Sequence, residues 1–128
     1  MKTLFQKFLL VIILTAFTFS CSSDDDNNNG SNYPESVNGT TWYRQDTETQ
    51  SGQTFEIDFY LVFETSDTGY LQAETDAAGT NINQTYDFTY VYSQGNGTAE
   101  FDDNNIGTQN FTISGNKLTL DGEILTLQ

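Results

Sequence analysis

The chain has 128 residues, enough for one domain, and its 18 acidic and 4 basic residues give a formal net charge of −14. This acidity argues against nucleic acid and anionic lipid surfaces as partners, because both attract proteins through lysine and arginine. With no histidine and a single cysteine, the chain lacks the ligands of a Cys/His zinc site and cannot form an internal disulfide. We therefore expect no metal and no other cofactor.

Residues 1–20, MKTLFQKFLLVIILTAFTFS, have the design of a secretory signal peptide. Two lysines give a basic start, and a largely apolar run follows them. That run has about 12 residues, whereas a helix needs roughly 20 to cross a bilayer. We expect this segment to be removed, with the cleavage between Ser20 and Cys21.

The cysteine of the chain directly follows a small residue at the end of this segment. The pair Ser20-Cys21 resembles the lipobox of bacterial lipoproteins, and the phenylalanine-rich apolar run is similar to that of Bacteroidetes lipoproteins. The motif usually has leucine three residues before the cysteine, where this chain has Thr18. The resemblance implies that the Cys21 thiol carries diacylglycerol and that its new α-amino group is acylated by a fatty acid such as palmitate. Several acyl chains hold a protein stably on a membrane, whereas one holds it reversibly.

Residues 21–36, CSSDDDNNNGSNYPES, contain few apolar side chains. Such a segment cannot bury enough surface to offset its ordering entropy, so we expect a flexible acidic tether. Its first part resembles the export signal that directs Bacteroidetes lipoproteins to the outer face of the outer membrane. The residues of this export signal are Ser22, Ser23, Asp24, Asp25 and Asp26. The resemblance implies a cell-surface lipoprotein, and a plain spacer on a protein that faces the periplasm is the alternative.

From residue 37 onward, apolar and polar residues alternate with a period of two, which is typical of β-strands. The clearest run, residues 53–64, has an apolar face centred on Phe59 and a mostly polar opposite face. The gaps between runs are short and contain the glycine and asparagine that tight hairpin turns favour. Eight strands are predicted, at roughly residues 41–49, 53–64, 67–75, 81–93, 97–103, 108–113, 116–120 and 123–127.

The short connections predict that neighbouring strands are antiparallel. Eight successive strands can pair the first with the last, and such closure removes exposed sheet edges. We therefore predict an all-β domain over residues 37–128, folded as an eight-stranded up-and-down barrel. A two-sheet β-sandwich is the alternative.

The stretches NGTTWYR, at the first predicted strand, and SGNKLTL, in the penultimate hairpin, resemble the small lipocalin-like domains of Bacteroidetes lipoproteins. The likeness covers residues 37–128 and implies a lipocalin-like barrel. Lipocalins carry G-x-W where this chain has a G-x-x-W that ends at Trp42. They also carry an arginine near the last strand, whereas Lys117 is the only late basic residue in this chain. A large aromatic residue near the start of the first strand can fill one end of a small barrel, so we predict that Trp42 is a barrel plug.

The sequence offers no recognisable catalytic constellation, and we expect that the protein is not an enzyme. Without histidine, a serine or cysteine nucleophile lacks its usual base. No phosphate-binding glycine loop or dinucleotide fingerprint occurs. The acidic stretch DDNNIG, residues 102–107, is interpreted as a turn rather than a cation site.

Two functions remain, and the size of the barrel interior separates them. The first is an anchored binding or interaction module whose outer face contacts another envelope protein; the alternative is a lipocalin-like carrier of a small apolar ligand. For the carrier, Tyr86, Tyr90 and Tyr92 are the candidate ligand-lining residues. An eight-stranded barrel has room for its own side chains or for one small ligand. A pocket above about 300 Å³ would favour the carrier.

Overall fold

The computed structural model describes residues 32–77 and 79–128. The predicted signal peptide, Cys21 and the export signal lie outside the described residues. Within these residues, no helix is long and apolar enough to span a membrane. The strands are β1 (Thr41–Gln50), β2 (Gln53–Phe63), β3 (Thr68–Ala77), β4 (Thr80–Ser93), β5 (Asn96–Phe101), β6 (Thr108–Ser114), β7 (Lys117–Leu120) and β8 (Glu123–Leu127).

The eight strands form a closed antiparallel barrel in which spatial order follows chain order. Each strand pairs with the next one along the chain, and β1 pairs with β8. The predicted all-β, up-and-down barrel is therefore confirmed, and the two-sheet sandwich is wrong. Short hairpin connections explain this order, because they leave each strand beside its predecessor.

The alternation in β2 determines which side chains enter the core. Ile57, Phe59, Leu61 and Phe63 point inward and are buried, while Glu56, which points to the opposite face, is exposed. Each strand contributes in the same way, since successive side chains of a strand point to opposite faces. The buried core of the barrel is thus apolar and the outer face is mostly polar.

One end of the barrel is filled, and we call it the closed end; it carries the β2–β3, β4–β5 and β6–β7 connections. Its core is aromatic: the ring centroid of Phe63 lies 4.8 Å from that of Tyr90 and 5.4 Å from that of Phe111. Gly97 makes this packing possible, because a Cβ atom there would lie 2.0 Å from Cζ of Phe111. Close ring packing at this end leaves little interior space.

The described chain also begins at the closed end. The carbonyl oxygen of Asn32 accepts a hydrogen bond from the backbone N–H of Gly115 at 2.5 Å. The Tyr92 hydroxyl donates to the Pro34 carbonyl oxygen at 2.7 Å. Residues 32–40 therefore lie against this end of the barrel before β1 starts.

The opposite end, which we call the open end, carries the β1–β2, β3–β4, β5–β6 and β7–β8 connections. Here β1 to β4, of 10, 11, 10 and 14 residues, extend past β5 to β8, of 6, 7, 4 and 5 residues. In the described part of the chain, β4 pairs with β5 only from Phe88 to Ser93, and β1 pairs with β8 only at Trp42 and Tyr43. We call the part of β1–β4 that extends beyond these pairs the overhang.

Candidate functional site

A cavity of about 90 Å³ opens at the open end of the barrel. It lies between the inner face of β1 and the β5–β6 and β7–β8 connections. Its floor and walls are mainly apolar, which is expected for the interior of a small barrel. The apolar side chains that line it are Phe59, Leu71, Phe101, Ile106, Leu120 and Leu125.

An ion-pair cluster forms the polar rim of this cavity. Arg44, on the inner face of β1, contacts Oδ1 of Asp46 through Nη2 at 2.7 Å and Nε at 3.0 Å. Its Nη1 also pairs with the carboxylate of Glu123 on β8. These three side chains carry one net negative charge, and the guanidinium already has two carboxylate partners. The rim therefore presents no unpaired cation to an anionic ligand.

The β5–β6 loop covers one side of the cavity. Asp103 organises this loop: its Oδ1 accepts the N–H of Asn105 at 2.8 Å, and its carbonyl oxygen accepts the N–H groups of Ile106 and Gly107 at 3.1 and 3.0 Å. The turn brings the buried Ile106 side chain over the cavity. No group of three or more metal-ligating side chains occurs among residues 32–77 and 79–128.

The candidate ligand-lining tyrosines point inward, but other residues line the cavity. The Tyr90 hydroxyl donates to the Thr65 carbonyl oxygen at 2.6 Å, and that of Tyr92 donates to Pro34. Burial raises the pKa of Tyr86, Tyr90 and Tyr92. The alternation of apolar and polar residues predicts which side chains point into the barrel, but it does not predict at which end of the barrel they lie.

Trp42 is fully buried at the closed end. Its Nε1–H donates to Oγ1 of Thr40 at 2.9 Å, and that hydroxyl donates to the Val37 carbonyl oxygen at 2.6 Å. The indole thus has a partner for its polar atom while its rings fill apolar space. Lys117, the single basic residue late in the sequence, is exposed.

A tyrosine pair on the outer face was missed by the sequence analysis. The rings of Tyr43 on β1 and Tyr60 on β2 lie 5.2 Å apart, and the Tyr43 hydroxyl donates to Oδ1 of Asp58 at 2.6 Å. This hydrogen bond, with burial and nearby negative charge, raises the pKa of Tyr43 to about 12. The sequence shows both residues as aromatic side chains on the polar faces of their strands. It does not show the register of β1 and β2, which places the two residues opposite each other.

The inner face of the overhang carries a half-buried carboxylate, Glu48. Its buried Oε2 atom has no hydrogen-bond partner among the described residues. Burial raises the pKa of the Glu48 carboxyl, and a hydrogen bond from Gln50 partly opposes that effect. The open end therefore combines an apolar cavity with an acidic border.

The fold and this site define the class of protein as a small closed β-barrel with one filled end and one shallow, apolar cavity at the other. Comparisons with models of protein families, with curated proteins and with solved structures found no match. The function must therefore be argued from the chain itself.

Proposed function

We propose that this protein is an outer-membrane lipoprotein, anchored through Cys21 and exposed at the cell surface, whose barrel is a binding or interaction module. Support comes from the end of the barrel at which the chain enters. Asn32 and Pro34 contact the closed end. A tether that runs from a lipidated Cys21 would therefore direct the closed end toward the membrane and the open end away from it.

The length of the tether is compatible with this arrangement. Residues 21–31 precede the described chain, and 11 residues span at most roughly 40 Å when fully extended. An anchored barrel would thus reach past the lipid headgroups with its overhang and cavity facing outward.

The cavity supports an interaction module more than a carrier. Its volume of about 90 Å³ is below the roughly 300–1,000 Å³ of pockets that enclose small-molecule ligands. Two larger depressions, of about 430 and 400 Å³, are lined mostly by outward-facing residues of β4–β6 and of β2–β4, so they are surface grooves rather than a barrel interior. The cavity at the open end is also smaller than the engineered cavity of about 150 Å³ that admits benzene in another protein. The apolar lining keeps a carrier of a very small apolar ligand as the alternative.

Acyl labelling tests the anchor directly. Cells that express the wild-type chain and are fed a labelled fatty acid should incorporate label into the processed protein, because the Cys21 thiol and its α-amino group are the acceptors. Cys21→Ala should leave an unlabelled, full-length precursor, as measured by label incorporation and by mass spectrometry of the N-terminus.

The adjacent substitution Ser22→Ala is the matched control. It leaves the thiol and the residue before it unchanged, so acylation should persist at the wild-type level. Label on the Cys21→Ala chain would show that the anchor lies elsewhere or is absent.

A further inference from the structure

The overhang leaves part of β4 with a strand partner on one side only. β4 pairs with β3 from Thr80 to Thr89, but in the described part of the chain it pairs with β5 only from Phe88 onward. Residues 80–87 therefore form a sheet edge, which we call the β4 edge. Such an edge presents backbone N–H and C=O groups to another strand.

The direction of these groups follows from one hydrogen bond. The Asp87 carbonyl oxygen accepts the Asp102 N–H at 3.0 Å, on the side of β4 that faces β5. Because the backbone groups of successive residues in a strand point to opposite sides, residues two apart share a side, and Asn81, Asn83 and Thr85 also direct their N–H and C=O groups away from β3. All three residues are exposed.

The β4 edge lacks the features that normally prevent strand addition. Its sequence from Thr80 to Asp87, TNINQTYD, contains no proline, and its single charged residue is Asp87 at the end next to β5. The other edge of the overhang, residues 44–50 of β1, carries the inward-pointing charges of Arg44, Asp46 and Glu48. Inward-pointing charges, edge lysines and prolines are the usual protection of natural edges. The two edges thus differ, and the β4 edge is the one suited to pairing.

We propose that the β4 edge binds an extended strand of a partner protein in which apolar and basic side chains alternate. Backbone hydrogen bonds would supply the affinity, and alternate side chains would supply the specificity. This inference rests on the proposed function and names the partner class of the exposed open end.

The alternation of the partner strand follows from the two faces of β4. On the inner face, Ile82 and Tyr86 offer apolar contact to a neighbouring strand. On the outer face, Glu74 and Asp76 lie on β3, directly behind Asn83 and Asn81. A docked strand would lie two strand spacings from these carboxylates, roughly 10 Å, which is slightly more than the Debye length of about 8 Å at physiological salt. Basic side chains on its outer face would therefore be attracted most strongly at low salt.

Charge also argues against a second copy of this chain as the occupant. Each copy has a formal net charge of −14, and two such chains repel one another. A basic strand is attracted by the same charge. We therefore do not expect two copies to pair, and the experiment is designed so that such pairing would be detected.

The probe is an acetylated and amidated peptide of seven residues that alternates lysine with valine. The purified full chain in a mild detergent is titrated against this peptide carrying a fluorescent label, and binding is followed by anisotropy. Hydrogen exchange at the amides of Asn81, Asn83 and Thr85 is measured with and without the peptide. Binding should slow exchange at these three amides.

Proline substitution separates backbone pairing from side-chain contact. Asn83→Pro removes an outward N–H without removing a bond to β3, so it should weaken peptide binding by about tenfold. Asn83→Ala keeps that N–H and should stay within about twofold of wild type, because only a side-chain bond to Glu74 is lost. Thr47→Pro removes the corresponding outward N–H of the β1 edge and should also leave binding within about twofold.

Four results would overturn the proposal. The first two are absence of peptide binding and unchanged hydrogen exchange at the three amides. The third is an equal loss of peptide affinity in Thr47→Pro and Asn83→Pro. The fourth is protection of these amides that grows with the concentration of the chain when no peptide is present, which would indicate pairing of two copies. A peptide with glutamate in place of lysine should bind at least about tenfold more weakly, and equal binding would contradict the charge argument. If Asn83→Pro loses the wild-type circular dichroism spectrum, Thr85→Pro replaces it, and the exchange data on the wild-type chain still decide.

The acylation of Cys21 is measured on the same preparation by mass spectrometry. An acylated chain that does not bind the peptide contradicts strand addition alone. A chain that binds the peptide without acylation contradicts the proposed anchor alone.

Discussion

Arg44 is a charged side chain on the inner face of a barrel, where an isolated charge is costly. Its two carboxylate partners come from opposite sides of the junction between β1 and β8, a junction that contains only two residue pairs among the described strands. The side chains of Arg44, Asp46 and Glu123 are 25%, 24% and 27% exposed, so water weakens each ion pair. The cluster thus continues the closure of the barrel beyond the last backbone pair.

Asp58 holds the Tyr43 hydroxyl in its protonated form, and its removal should lower the pKa of Tyr43 from about 12 toward the ordinary value of 10.0. The wild-type pKa is raised mainly because the hydroxyl donates to Oδ1 of Asp58. We predict this decrease for Asp58→Ala, as measured by titration of tyrosine ¹³Cζ resonances. Asp87→Ala, which removes an outer-face carboxylate of β4, should leave the Tyr43 titration unchanged.

The raised pKa of Tyr43 also makes the stability of the fold depend on pH. A pKa that is higher in the folded chain than in the unfolded chain stabilises the fold at pH values below 10, and this contribution is lost as the pH rises from 10 through about 12. The difference in unfolding midpoint between wild type and Asp58→Ala should therefore shrink across that interval. A Tyr43 titration that is identical in both chains would contradict the assigned hydrogen bond.

The stability of β2 depends on the burial of its inward face. Phe59 is buried at the centre of that face and forms part of the cavity wall. Truncation of a buried phenylalanine to alanine usually costs about 3–5 kcal/mol, against a total stability of about 5–15 kcal/mol for a domain. We predict that Phe59→Ala lowers the thermal midpoint strongly or unfolds the domain near 37 °C, as measured by circular dichroism.

Glu56→Ala is the matched control on the same strand. Glu56 is exposed on the outer face, and surface substitutions usually change stability by less than about 0.5 kcal/mol. A slip of β2 by one residue would exchange the two faces and hence the two outcomes. Equal thermal midpoints for the two variants would therefore contradict the observed register.

The strands could be predicted from the sequence because alternation and turn residues are local features. The residue pairs between strands are not local, which is why the overhang, the Tyr43–Tyr60 pair and the Arg44–Glu123 pair were not predicted. Alternation places Tyr90 on the inner face, but only the position of its partner Thr65 shows that it serves the closed end. The small cavity also depends on ring packing that a one-dimensional pattern does not contain.

The two ends of the barrel differ in chemistry. The closed end is an aromatic core against which residues 32–40 pack, and the open end carries the cavity, the acidic rim and the β4 edge. A domain with this acidity is repelled by anionic lipid headgroups. In the proposed lipoprotein, this repulsion would keep the barrel at the far reach of its tether and leave the open end accessible to a partner.

Surface exposure of the whole molecule can be tested through the acidic run after Cys21. We predict that replacing Asp24, Asp25 and Asp26 together by alanine reduces cleavage of the protein by an external protease on intact cells, because the resemblance to an export signal resides in these carboxylates.

The measurement compares the fraction digested on intact cells with the total protein in lysed cells, which should stay constant. Alanine substitution of the adjacent amide residues at 27–29 is the control, since it changes the same number of tether residues but keeps the three carboxylates. This control should be digested as the wild type is. Equal digestion of all three chains on intact cells would mean that the acidic run does not direct export. If the wild-type chain is digested only after cell lysis, the barrel faces the periplasm instead.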